Sequence, residues 1–158
     1  MKTRALLPLL AGLGAAAVTV LYVVIMANQD DLVRDTFRVA VITMTFASSA
    51  GSLLVAAMLP PSPRRVILLT WGSTVALFWT VLLNTLTPLW LPVAVLGWIA
   101  TVGETRSFGR EDGGGSAWPL VGGTWAICVA VLGITFFASV AADRSPSSGT
   151  GEGIAMPR

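Results

Sequence analysis

From Val66 to Gly103 the chain runs for 38 residues without one Asp, Glu, Lys or Arg. As a single helix, at 1.5 Å per residue, that segment would be about 57 Å long, far beyond a hydrocarbon core of about 30 Å. It must therefore fold back on itself. Asn84, Thr85, Thr87 and Pro88 mark the turn, since Asn and Pro favour turns for separate steric reasons. Two spans result, 66–83 and 86–103, each of 18 residues and inside the range of about 17–25 that can cross a bilayer. The alternative is one full span plus a re-entrant segment.

Composition supports lipid as the solvent. Of 158 residues, 11% are charged and 54% apolar, with a mean hydropathy of +0.78. Soluble domains carry about 25% charged residues, and a soluble chain of this size still leaves about a third of its surface in water. The formal charge of +2 is spread through the loops without a run of four basic residues. It gives no basis for nucleic-acid binding and fits contact with anionic lipid instead.

Three further uncharged stretches read as spans. Residues 5–26 follow Lys2 and Arg4. They exceed the usual ~7–15-residue apolar core of a cleaved signal peptide and lack a clean small-x-small end, so a retained helix is expected. Residues 39–59 end at Pro60, Pro61 and Pro63, which lack the backbone donor a helix needs. Arg64 and Arg65 follow and are expected to anchor the chain at the headgroups. Residues 118–140 begin with Pro119 in a first turn, where proline is tolerated. The expected fold is all-α: an integral membrane bundle of five transmembrane helices, with four plus a re-entrant segment as the alternative. Residues 1–142 form one polytopic domain and 143–158 a disordered, glycine-rich tail. The loops are 27–38, with its acidic group Asp30, Asp31 and Asp35, and Glu104–Ala117, made flexible by Gly113, Gly114 and Gly115.

The excess of Lys and Arg in cytoplasmic loops sets orientation. With the N-terminus inside, Lys2, Arg4, Arg64, Arg65, Arg106 and Arg110 are cytoplasmic, and Arg34, Arg38, Arg144 and Arg158 are outside. Tyr22, Trp90, Trp98 and Trp118 then fall near the two interfaces, as aromatic belts require. Trp71, Trp79 and Trp125 fall deeper and are expected between helices, where their N–H groups need acceptors.

No Asp, Glu, Lys or Arg lies inside these span boundaries, which argues against proton coupling or ion pumping. Histidine is absent and Cys128 is the one cysteine. The commonest metal ligand and acid–base catalyst is therefore missing, and no internal disulfide can form. No Gly-x-Ser-x-Gly elbow, phosphate loop, His-Glu-x-x-His or Cys-x-x-Cys occurs. A non-enzymatic chain without a cofactor or metal is expected. The candidate face lies on the second span: Thr43, Ala47, Ser48, Ser49, Gly51 and Ser52. Small residues let backbones approach and hydroxyls bond across helices, so this face reads as helix packing or as the lining of a path. Gly12-xxx-Ala16, Ala11-xxx-Ala15 and Gly72-xxx-Ala76 carry the same packing signal.

Five spans, six tryptophans and the wording Asn84-Thr85-Leu86-Thr87-Pro88 resemble the tryptophan-rich sensory (translocator) proteins and their third helix. The resemblance covers fewer than ten residues. The Trp- and Pro-rich first loop of that family is replaced here by QDDLVRDTFR, and no binding residue carries over. The first functional expectation is a small subunit or scaffold in the cell membrane, its partners being the bilayer and other membrane subunits or itself. The alternatives are a small oligomeric transporter or channel, and a sensory or binding bundle holding an apolar ligand among Trp71, Trp79 and Trp125.

Overall fold

The computed structural model describes residues 2–28, 36–82, 87–111 and 116–143. They form five α-helices and no strand: α1 (Lys2–Ala27), α2 (Thr36–Met58), α3 (Pro63–Leu82), α4 (Thr87–Glu111) and α5 (Trp118–Asp143). The all-α reading holds. The acidic group at 30–35, the turn at Asn84 and Thr85, the glycine run at 113–115 and the tail from 144 onward lie outside the described residues.

Local chemistry sets the helix starts. Ser62 Oγ accepts from the Arg65 backbone N–H at 3.3 Å, capping α3, and Pro63 occupies the first helical position, where a missing N–H costs nothing. Ser116 Oγ accepts from the Trp118 N–H at 3.3 Å and does the same for α5. The largest departure from expectation is at α4. It continues through Glu104 to Glu111, so what reads as the start of a hydrophilic loop is two more turns of helix.

The first four helices close a ring in which α1 packs on α2, α2 on α3, α3 on α4, and α4 back on α1. Neighbours run antiparallel, because Gly12 meets Leu54 while Tyr22 meets Phe46, and Gly72 meets Leu53 while Trp79 reaches Thr45. The fifth helix sits outside the ring against α3 and barely touches α2. It lies parallel to α3, with Cys128 beside Trp71 and Leu132 near Trp79. Most of its large side chains, including Trp125, Ile127, Ile134 and Phe137, are exposed. That is the surface expected of a helix whose outer side meets lipid.

Four helices, α1, α2, α3 and α5, are long and apolar enough to cross a membrane. In α4, Pro88, Pro92, Trp90 and Trp98 dilute the apolar part before the helix runs on into Glu104 and Arg106. It is nevertheless one unbroken helix of 25 residues, about 37 Å long.

The core inside the ring is partly aromatic. Phe46 contacts Tyr22, Trp79 and Trp90 edge-on, at centroid distances of 5.1, 5.4 and 4.6 Å. Such T-shaped contacts add about 0.5–1.5 kcal/mol each to area burial. Tyr22 and Trp90, expected at the outer interface, are both buried here. Spacing along a helix gives depth, but it does not give the direction in which a side chain faces.

Candidate functional site

A polar seam runs up the inside of the ring. At its lower end Arg65 Nε lies 3.6 Å from Glu104 Oε2, with the two side chains 5% and 3% exposed. Arg65 also donates from Nη1 to the Leu59 carbonyl at 3.1 Å. Arg64 is exposed, but Arg65 is buried, so only one of the pair expected at the headgroups is free to lie there. The ion pair stands at the two boundaries of the 38-residue uncharged run, and the antiparallel α3–α4 pairing brings those boundaries together.

Above the ion pair the seam consists of hydroxyls. Ser73 and Thr101, both fully buried, lie 3.3 Å apart across the α3–α4 contact. Each also donates to its own helix, Ser73 to the Leu69 carbonyl at 2.6 Å and Thr101 to the Gly97 carbonyl at 2.9 Å. Thr70, Thr74 and Thr105 bond in the same way to carbonyls four residues back. These contacts depend on close backbones: a Cβ on Gly97 would stand 2.5 Å from Ser73 Oγ.

The six residues of the candidate face on α2 divide between two environments. Ser49 and Ser52 are buried, Thr43 and Ser48 partly buried, and Ala47 and Gly51 exposed. Ser49 Oγ donates to the Gly72 carbonyl of α3 at 2.8 Å, a bond between helices. Ser52 donates to the Ser49 carbonyl, Ser48 to that of Thr45 and Thr43 to that of Val39. The buried part of the face is therefore the α2–α3 contact, while Ala47 and Gly51 look outward.

The deeper tryptophans also divide. Trp79 donates from Nε1 to Thr45 Oγ1 at 3.1 Å, and Trp71 to Ser48 Oγ at 3.5 Å, so both bridge α3 to α2. Trp125 is 45% exposed on α5, and Trp71, Trp79 and Trp125 each line a different groove. Trp125 instead borders a separate α3–α5 groove of about 240 Å³ with Phe78 and Val129. Cys128 is buried with Sγ 3.9 Å from the Trp71 carbonyl. Sequence reading missed the Arg65–Glu104 pair because each residue falls one position outside an apolar span; their adjacency in the folded-back hairpin was the available signal.

No protein-family model, curated protein or solved structure matches this chain.

Proposed function

We propose that this chain is a non-enzymatic, multi-pass membrane protein that serves as a small subunit or scaffold within a membrane assembly. The observation that carries the reading is the use made of its polar side chains. Among the described residues, the hydroxyls along α2, α3 and α4 bond to helix carbonyls or bridge helix to helix. The Ser49–Gly72 bond joins α2 to α3, and the hydroxyls bonded to carbonyls of their own helix have their donors already used, whereas a conducting path needs them turned toward a water-filled lumen. No group of three or more His, Cys, Asp or Glu gathers among the described residues. The outer surface, above all that of α5, is apolar and available to lipid or to another membrane helix.

The test is the mass of the protein extracted from its own membranes directly into lipid nanodiscs. The reading expects a defined assembly well above the 16.5 kDa of one chain. A lone monomer at native expression level sinks it. Flux assays on liposomes carrying the Ser48→Ala, Ser49→Ala and Ser52→Ala variants separate this reading from a transporter. A solute flux present in the parent protein and abolished by these changes would replace the scaffold reading.

A further inference from the structure

Outside the ring, the exposed part of the α2 face forms a feature that helix packing within the chain does not use. A groove of about 460 Å³ lies between α2 and α3, lined by Ser48, Gly51, Val55, Ile67, Leu68 and Trp71. Its volume falls within the range of about 300–1,000 Å³ usual for small-ligand sites. The groove is open beside Gly51, where an added Cβ would meet nothing within 4 Å.

The walls are apolar, but the end nearest the start of α3 is not. Arg64 is exposed in the first turn of that helix. It precedes Ile67 and Leu68 by three and four positions and Trp71 by seven, and side chains at those intervals share one helix face. Arg64 therefore lies one turn before the groove's α3 wall, on the same face of that helix. An arginine side chain points back toward its helix N-terminus, here toward the α2–α3 connection and away from the apolar walls. The positive end of the α3 dipole adds to the field there. Along the groove the order is a cation, then hydrocarbon, with the indole of Trp71 alongside.

We propose that this groove is a binding site for an anionic phospholipid, its phosphate held at Arg64 and one acyl chain lying against Gly51, Val55, Leu68 and Trp71. The charge complementarity of Arg64 with phosphate, and the order of polar and apolar groups from mouth to interior, match a lipid standing upright in its own leaflet. A packed helix would need no cation at that level. Basic residues beside clefts between membrane helices recognise anionic headgroups through the same physics.

The test uses the full chain in vesicles of equimolar phosphatidylglycerol and phosphatidylcholine, with bromine on the acyl chains of one lipid or of the other. Bilayer composition is then constant, and only the position of the quencher changes. The contribution of Trp71 is the fluorescence lost in Trp71→Phe. Quenching of that contribution is expected to be stronger when phosphatidylglycerol carries the bromine. Arg64→Gln should remove the excess, and Gly51→Leu, which fills open space and leaves the core alone, should reduce quenching from either lipid. Equal quenching by the two lipids overturns the proposal, as does an excess that survives both substitutions. A fall in oligomer size on Gly51→Leu, with quenching unchanged, would assign the groove to a second copy of the chain and overturn it as well. Failure of the protein to float with the vesicles would instead refute the membrane reading itself, so the two are told apart in one preparation.

Discussion

At Gly72 an added Cβ would stand 2.7 Å from both Leu53 Cγ and Ser52 Oγ, whereas at Gly51 it would meet nothing within 4 Å. The two glycines lie on facing helices, and their opposite surroundings separate helix propensity from packing. Alanine is favoured over glycine in a helix by about 1 kcal/mol, and Gly51→Ala should gain most of that. Gly72→Ala gains the same propensity but forces Leu53, which is fully buried, off its position. Overpacking of this kind costs about 1–3 kcal/mol, and Ser49 would also lose its aligned bond to the Gly72 carbonyl. Thermal unfolding in one detergent should place Gly51→Ala at or above the parent protein and Gly72→Ala below it. If both variants moved in the same direction, backbone approach at Gly72 would not be what holds α2 to α3.

The α3–α4 hairpin shows what could be read from sequence and what could not. Its existence followed from length and charge alone, because 38 uncharged residues exceed any bilayer. The end of the second helix was legible from Pro60, Pro61 and Pro63, whereas the Ser62 cap on α3 was not read from the sequence. The direction each side chain faces was not, since an apolar segment buried in lipid shows no contrast between its inner and outer sides. Tyr22 and Trp90 were for that reason read for depth alone, and their inward packing on Phe46 was not anticipated. On α2 the small residues were legible as a group, but their division between an inner contact and an outer groove was not. The Arg65–Glu104 pair follows the same logic, since only the fold brings two loop-edge charges together. Breaking a buried ion pair from one side leaves an uncompensated charge and costs about 3–5 kcal/mol, while replacing both partners with apolar residues of similar size is near neutral or stabilising. Arg65→Met and Glu104→Leu should therefore each lower the melting temperature in detergent, and the double variant should recover most of the loss. Strictly additive losses would mean that the two charges do not hold α3 to α4.

For the molecule as a whole, orientation rests on the Lys and Arg count. With the N-terminus inside, the five-span map sets six basic residues against four, and because the rule counts Lys and Arg rather than net charge, Arg65 stays in that count although it is paired with Glu104. The bias is slight, and Lys2 and Arg4, flanking the first helix, carry most of the weight because the first helix usually dominates. Both should matter to insertion: with the two changed to Gln, a mixture of orientations is expected. Orientation and span number can be read together by labelling, because the single native cysteine, Cys128, is buried and gives a low background. A membrane-impermeant maleimide applied to intact cells should label Asn28→Cys, after α1, and should reach Ser62→Cys and Ser116→Cys only once the membrane is opened. Ser116, between α4 and α5, is the position that tests whether α4 crosses. A fully spanning α4 places it on the side of Ser62, and a re-entrant α4 places it on the side of Asn28. Four helices qualify as spans by composition, and α4 falls short because prolines and tryptophans dilute it. Its place in the ring, packed between α1 and α3, is the reason to expect Ser116→Cys to remain protected in intact cells. Labelling there without permeabilisation would return the chain to four crossings.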